Sequence, residues 1–226
     1  MSGTEDCLFN FEVTSYCNAG CPSCFRTIFP TDQKRKLVLK HLKVEDFKFL
    51  ISHNINFIYF HLNNKYDRVV AKFCGEIGDP LLNPNIDQLI GIAETAFDAV
   101  EIYTNGGIRT SKWIKNILTQ YKKTYFVFGI DGLTDEINQM YRVNVRTDIA
   151  LKNMIESAKY RSTRWDYTIF NHNYLELPDV IDFARKNKLK LLCRFNGREF
   201  NKLDDENIFI CEELLKKNNI SYYVCK

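Results

Sequence analysis

Cys17, Cys21 and Cys24 stand in the stretch Tyr16-Cys-Asn-Ala-Gly-Cys-Pro-Ser-Cys-Phe25, spaced C-x3-C-x2-C directly after an apolar run. A cubane iron–sulfur cluster takes one thiolate on each of four irons. A loop that offers three close thiols therefore leaves one iron free to bind a small molecule. The fold must hold this loop beside a cavity.

Composition sets the frame for that loop. The chain has 226 residues, 45% of them hydrophobic, enough for one α/β domain with a large core. A formal net charge of +3 is too small to indicate a nucleic-acid partner. Cys7, Cys74, Cys193, Cys211 and Cys225 are scattered through apolar segments and read as separate thiols rather than a disulfide framework. Met1 to Asp6 is polar and acidic, unlike a signal peptide. No run approaches the roughly 18 apolar residues that span a membrane. The expected setting is a reducing cytoplasm, where clustered cysteines serve as metal or redox ligands.

Apolar runs alternate with amphipathic ones along the chain. Strands are expected at Leu8 to Ser15, Arg68 to Cys74, Ala99 to Thr104, Tyr125 to Asp131, Asp166 to Phe170 and Leu189 to Phe195. Helices are expected from Val44 to about His53, from about Ile86, from about Ser111, at Asp148 to Lys159, at Leu177 to Lys186 and from about Asp204, with a hairpin insertion at Asn56 to Asp67. Strands separated by helices argue for parallel, right-handed βαβ units. About six units predict an α/β fold with a parallel sheet, a partial (β/α)6 TIM-like barrel in a single domain. The core covers about 8–200 and is followed by a tail at 201–226. In such barrels the loops after the strands form the functional face. The cysteine loop, Gly75-Glu76, Thr104-Asn105-Gly-Gly107 and Gly129-Ile-Asp-Gly132 each follow a strand, so all four are expected at one mouth.

The cysteine motif, followed by an aromatic residue, resembles that of the radical S-adenosylmethionine superfamily, and the later turns match the family's pattern in order. The resemblance implies a [4Fe-4S] cluster on Cys17, Cys21 and Cys24, with S-adenosylmethionine chelating the open iron. It implies reductive cleavage of that cofactor to a 5′-deoxyadenosyl radical, which abstracts hydrogen from substrate, and an external electron donor of the flavodoxin or ferredoxin type. Gly75 and Glu76 resemble the glycine-glutamate motif that receives the cofactor's ammonium group, a task suited to a carboxylate. Thr104 and Asn105 stand where the family contacts ribose or carboxylate, and Asp131 holds a similar place one strand on. Arg142, in Tyr141-Arg-Val143, resembles an arginine used on the cofactor carboxylate.

The string Cys74-Gly-Glu-Ile-Gly-Asp-Pro-Leu81 resembles the SPASM and twitch branch, which implies a peptide or protein substrate. Cys211 and Cys225 cannot complete the four-ligand auxiliary site of that branch and read as two incidental thiols, with the remnant of a lost or truncated extension as the alternative for the tail. Ser23, Cys74 and Val143 depart from the usual residues at their positions without removing a cluster ligand. No catalytic acid or base is assigned. His172 reads as structural or substrate-facing, and Lys34-Arg35-Lys36 as a solvated loop.

Rival readings are an enzyme acting on a nucleoside or small molecule, a glycyl-radical activase, and a non-enzymatic iron–sulfur electron carrier or structural metal protein. A zinc knuckle needs a fourth ligand, and no second CxxC lies near the three cysteines.

Overall fold

Seven strands form one sheet in chain order, and every neighbouring pair is parallel. They are β1 (Asp6–Phe11), β2 (Arg68–Phe73), β3 (Ala99–Thr104), β4 (Thr124–Gly129), β5 (Arg164–Ile169), β6 (Lys190–Phe195) and β7 (Ser221–Val224). The computed structural model describes residues 5–28, 38–58, 62, 65–74, 76–197 and 200–224. The expected residue Gly75, the run Lys34-Arg35-Lys36 and Cys225 lie outside them.

Sequential strand order has a direct consequence. Each right-handed crossover advances one strand in the same direction, so the connecting helices gather on one face of the sheet. The sheet curls into a partial barrel with its other face free. The helices are α1 (Phe25–Ile28), α2 (Val44–Phe57), α3 (Ile86–Ala96), α4 (Ser111–Gln120), α5 (Asp135–Asn138), α6 (Thr147–Ala158), α7 (Leu177–Lys186) and α8 (Asp205–Lys217). Side chains of Thr110, Thr134 and Asp204 accept the N–H two or three residues into α4, α5 and α8, which satisfies donors that the first turn leaves unpaired.

Strand alternation separates two chemistries. Val69, Ala71 and Phe73, Val100 and Ile102, Phe126 and Phe128, and Trp165, Tyr167 and Ile169 point to the helices and form the core. The intervening residues face the concave side: Arg68 and Lys72, Glu101 and Tyr103, Tyr125, then Arg164, Asp166 and Arg194. A closed barrel fills its interior with packed apolar side chains; this interior is polar and encloses a cavity. Phe11 anchors the end of β1 through edge contacts to Phe47 at 5.2 Å, Phe97 at 5.8 Å and Phe73 at 6.1 Å. Such pairs contribute about 0.5–1.5 kcal/mol each beyond area burial, and they fix the point where the cysteine loop begins.

The sheet departs from the sequence expectation at both ends. The first strand stops at Phe11 rather than Ser15, because Val13 to Ser15 turn away to meet residues 40–42. The tail contributes α8 and a seventh strand, whose Ser221 to Val224 pair with Leu192 to Phe195. Asn56 and Phe57, expected in a hairpin, complete α2. Cys74, Cys193 and Cys211 are buried thiols. Among the described residues no disulfide forms, and no helix is long and apolar enough to cross a membrane.

Candidate cofactor and cluster site

The cysteine loop leaves the end of β1 and is held by backbone bonds from three directions. Ser15 donates to the Lys40 carbonyl at 2.9 Å, Asp79 donates to the Tyr16 carbonyl at 2.8 Å, and Gly20 donates to the Val143 carbonyl at 3.0 Å. The buried Asn83 amide donates to the Val13 and Leu42 carbonyls at 2.6 and 3.1 Å. His41 is engaged in packing: its Nδ1 lies 2.8 Å from Thr14 Oγ1 and its ring stacks on Tyr16. Val143, unusual for its position by resemblance, thus supplies the carbonyl that fixes Gly20. A turn from the Cys24 N–H to the Cys21 carbonyl leads into α1.

The thiols sit where bare charge is costly. Burial pushes Cys17 up to about 11, with nearby Asp79 adding to the effect, and burial also raises Cys21. Thiolate is the form that ligates iron, and a bound cationic centre removes this penalty. Cys17 Sγ accepts the Ala19 N–H at 3.4 Å, with Asn105 Nδ2 at 3.9 Å.

Asp79 organises the neighbouring turn. Its buried carboxylate accepts Thr104 Oγ1–H at 2.9 Å, the Asn105 N–H at 2.8 Å and the Leu81 N–H at 3.1 Å. Thr104 in turn accepts the Gly106 N–H at 3.0 Å, and Asn105 donates to Asn18 Oδ1 at 2.8 Å. This chain of bonds ties the end of β3 to the cysteine loop. Gly106, at φ +77°, makes the turn in a backbone region that favours glycine.

Arg142 reaches into the cavity from the segment after α5. Its Nε donates to Asp131 Oδ2 at 2.7 Å, while Asp131 Oδ1 accepts the Thr168 N–H at 2.8 Å. Asp131 is fully buried, and Asn138 Oδ1 accepts its N–H. The carboxylate of Asp131 keeps Arg142 firmly protonated against the effect of burial. A side chain on Gly129 would approach Arg142 Nη2 to 2.8 Å, so that glycine leaves room for the guanidinium.

The turn after β2 is held by a residue that sequence reading passed over. The Glu12 carboxylate, at the end of β1, accepts the Glu76 N–H at 2.7 Å and is pulled toward ionisation by the Ile77 and Gly78 N–H groups. Burial opposes them and leaves Glu12 raised. Glu76 itself is exposed to the cavity.

A cavity of about 960 Å³ opens at the C-terminal ends of the strands, lined by Cys17, Cys21, Cys24, Glu76, Asn105 and Arg142 among others. Thr104 also lines it, whereas Asp131 stands behind Arg142 and outside the lining. The volume lies at the upper end of ligand pockets, about 300–1,000 Å³. The donor set fits the implied pair of groups: thiols for iron, a carboxylate for an ammonium and a planar guanidinium for a carboxylate. Among the described residues no three His, Cys, Asp or Glu side chains converge as they would on one metal ion.

Glu12, Gly78, Asp79, Asn83 and Asn138 are the supporting residues that sequence reading did not assign to the site. Only Gly78 and Asp79 carry a signal, within the Gly-Glu-Ile-Gly-Asp-Pro string. Asp131→Asn leaves the Arg142 charge without its carboxylate. Breaking such a pair costs about 3–5 kcal/mol; urea unfolding is expected to show a loss toward the lower end, since Arg142 keeps cavity exposure.

The same fold occurs in solved structures. SuiB of Streptococcus suis bound to S-adenosylmethionine superposes with a TM-score of 0.69 at 15% identity, over 99% of this chain and 51% of that one. AnSMEcpe with bound AdoMet gives 0.66 at 16% identity, over 96% and 64%. A radical SAM methyltransferase from Sphaerobacter thermophilus gives 0.60 at 12% identity, over 98% and 65%. The chain thus spans about half the length of SuiB. SuiB is also seen bound to its precursor peptide SuiA, and anSMEcpe to a Cp18Cys peptide. No family model matches the sequence, and no curated protein matches it.

Proposed function

We propose that this chain is a radical S-adenosylmethionine enzyme that modifies a peptide or protein. The observation that carries the reading is that three cysteines, the Glu76 carboxylate and the Arg142 guanidinium line one cavity at the mouth of a parallel half-barrel. A cluster and S-adenosylmethionine bound here would supply reductive cleavage of the sulfonium to methionine and a 5′-deoxyadenosyl radical able to take a hydrogen atom from substrate.

The chain's own residues bind and orient. Cys17, Cys21 and Cys24 would hold the cluster, with the Asn105 amide beside Cys17. Glu76 receives the cofactor ammonium, its turn fixed by Glu12. Arg142, aimed by Asp131, receives the cofactor carboxylate. Asp79, Thr104 and Asn105 keep the intervening turn in place. Hydrogen abstraction requires no acid or base from the protein. A peptide substrate is supported by the peptide complexes of SuiB and anSMEcpe and by the polar, laterally open concave face.

The test is anaerobic reconstitution with iron and sulfide, followed by reduction with S-adenosylmethionine present. Equal amounts of methionine and 5′-deoxyadenosine are expected. A cluster that forms without cleavage favours an electron carrier instead. Arg142→Lys loses the fork of donors and is expected to weaken S-adenosylmethionine binding about tenfold, or about 1.4 kcal/mol, at unchanged iron content. Equilibrium dialysis measures it.

A further inference from the structure

We infer that Arg194, on the β6 wall of the cavity, is the receptor for a carboxylate carried by the substrate; this rests on the peptide-modification reading above. Arg194 lines the cavity on the concave face of β6, beside Thr168 in the β5–β6 register. Its neighbours are already committed. Asp166 accepts Arg164 Nε on one oxygen at 2.7 Å and Arg194 Nη2 on the other at 2.8 Å. Glu101 accepts the hydroxyls of both Tyr103 and Tyr125. Arg164 donates its second arm to the Tyr103 hydroxyl, and Lys72 Nζ lies 4.2 Å from the Tyr103 ring centroid.

Arg194 differs from these. Among the described residues its Nε–H is buried without a partner, although the side chain as a whole keeps 43% exposure. Leaving a donor of a charged group buried and unpaired is costly, and a ligand group that pairs with it recovers that cost. Arg68 on this face is paired with Asp6, and the other three cations, Lys72, Arg164 and Arg194, stand against two carboxylates, Glu101 and Asp166. One positive charge is left over, which matches a carboxylate and undercompensates a phosphate dianion. The planar guanidinium suits a carboxylate in shape as well.

Position separates this group from the cofactor end. Gly129, over which Arg142 lies, pairs with Asp166 across β4 and β5. Asp166 therefore stands between the two arginines. Arg142, held by Asp131, serves the cofactor side, and Arg194 lies across Asp166 from it. A substrate anchored by its carboxylate here presents neighbouring C–H bonds toward the cofactor.

The test is a titration of the full chain, as purified and labelled with 15N, with short alanine peptides blocked at both ends and carrying one central glutamate or glutamine. A third peptide carries glutamine and a free C-terminal carboxylate, and inorganic phosphate is a fourth probe. The glutamate peptide is expected to shift the Arg194 Nε–H resonance, identified by its loss in Arg194→Lys, and to bind at least tenfold more tightly than the blocked glutamine peptide. Arg194→Gln is expected to lose at least tenfold in affinity, with Arg194→Lys intermediate and the surface control Lys186→Gln unchanged; circular dichroism checks that each is folded. Equal binding of the free-terminus peptide assigns the site to a C-terminal carboxylate, and its weaker binding assigns it to an acidic side chain. Equal binding of the two blocked peptides, no shift with any probe, a shift at Arg142 in place of Arg194, a response to phosphate alone, or full affinity in Arg194→Gln overturns the inference. The titration uses neither cluster nor S-adenosylmethionine, so its failure leaves cofactor cleavage standing and the reverse also holds.

Discussion

Replacing Cys17, Cys21 and Cys24 together with alanine is expected to reduce iron and sulfide to background, remove the brown absorption and abolish cofactor cleavage, while the fold survives. The loop keeps its shape without the thiols. Backbone bonds from Lys40, Asp79 and Val143 fix it, and the Asn83 amide bridges its base. Cys17 adds only one long contact from Ala19 and another from Asn105, whereas Cys21 packs with Tyr141 and Phe170. Circular dichroism of the metal-free variant should therefore match that of the metal-free parent, with a lower thermal midpoint from the lost Cys21 packing. Full iron content in the triple variant would place the metal elsewhere.

Gly78→Ala is expected to destabilise the protein by about 3 kcal/mol or more and to impair iron uptake with all three cysteines intact. A Cβ at Gly78 would lie 2.0 Å from the Thr14 carbonyl oxygen and 2.8 Å from the Tyr16 carbonyl oxygen. Both are backbone atoms of the cysteine loop and cannot rotate away. Overpacking alone costs about 1–3 kcal/mol. Relief by separation also breaks the Asp79 N–H bond to Tyr16 and disturbs the buried Asp79 cluster, at about 1–3 kcal/mol for each buried group left unpaired. Gly91→Ala, in α3, is the control: the new methyl meets the Tyr121 hydroxyl at 3.1 Å, the far end of a side chain whose shift costs its bond to the Asp87 carbonyl, and helix propensity favours alanine by about 0.5–1 kcal/mol. Urea unfolding of the two variants separates a packing requirement from a general intolerance of added volume.

The parts of this architecture legible in the sequence are those written in local periodicity. Runs such as Ala99 to Thr104 and helices such as Leu177 to Lys186 alternate apolar and polar residues at their own period, and the cysteine spacing is compact enough to read directly. Strand β7 escaped because Ser221 to Val224 is four residues long and becomes a strand only through pairing with β6. The end of β1 was misjudged for the same kind of reason. Val13 to Ser15 has strand-like composition, but its partners are residues 40–42 in an antiparallel contact that local pattern does not encode.

Within the cavity, Glu76, Thr104, Asn105 and Arg142 were legible through resemblance, and the structure brings them to one mouth. Asp131, expected on the cofactor, stands behind Arg142, with its carboxylate engaged by Arg142 and the Thr168 N–H. Glu12 and Asn83 had no signal because each acts through backbone groups 41 to 70 residues distant in the chain. Arg194 was invisible because an arginine within an apolar strand reveals its free donor only when its neighbours' partners are known.

Mössbauer spectroscopy of anaerobically reconstituted protein, recorded with and without S-adenosylmethionine, tests the three-thiol cluster most directly. One iron of the four is expected to change its signal on cofactor addition while the rest stay as they were. Four irons that ignore the cofactor, or zinc in place of iron, would contradict the account.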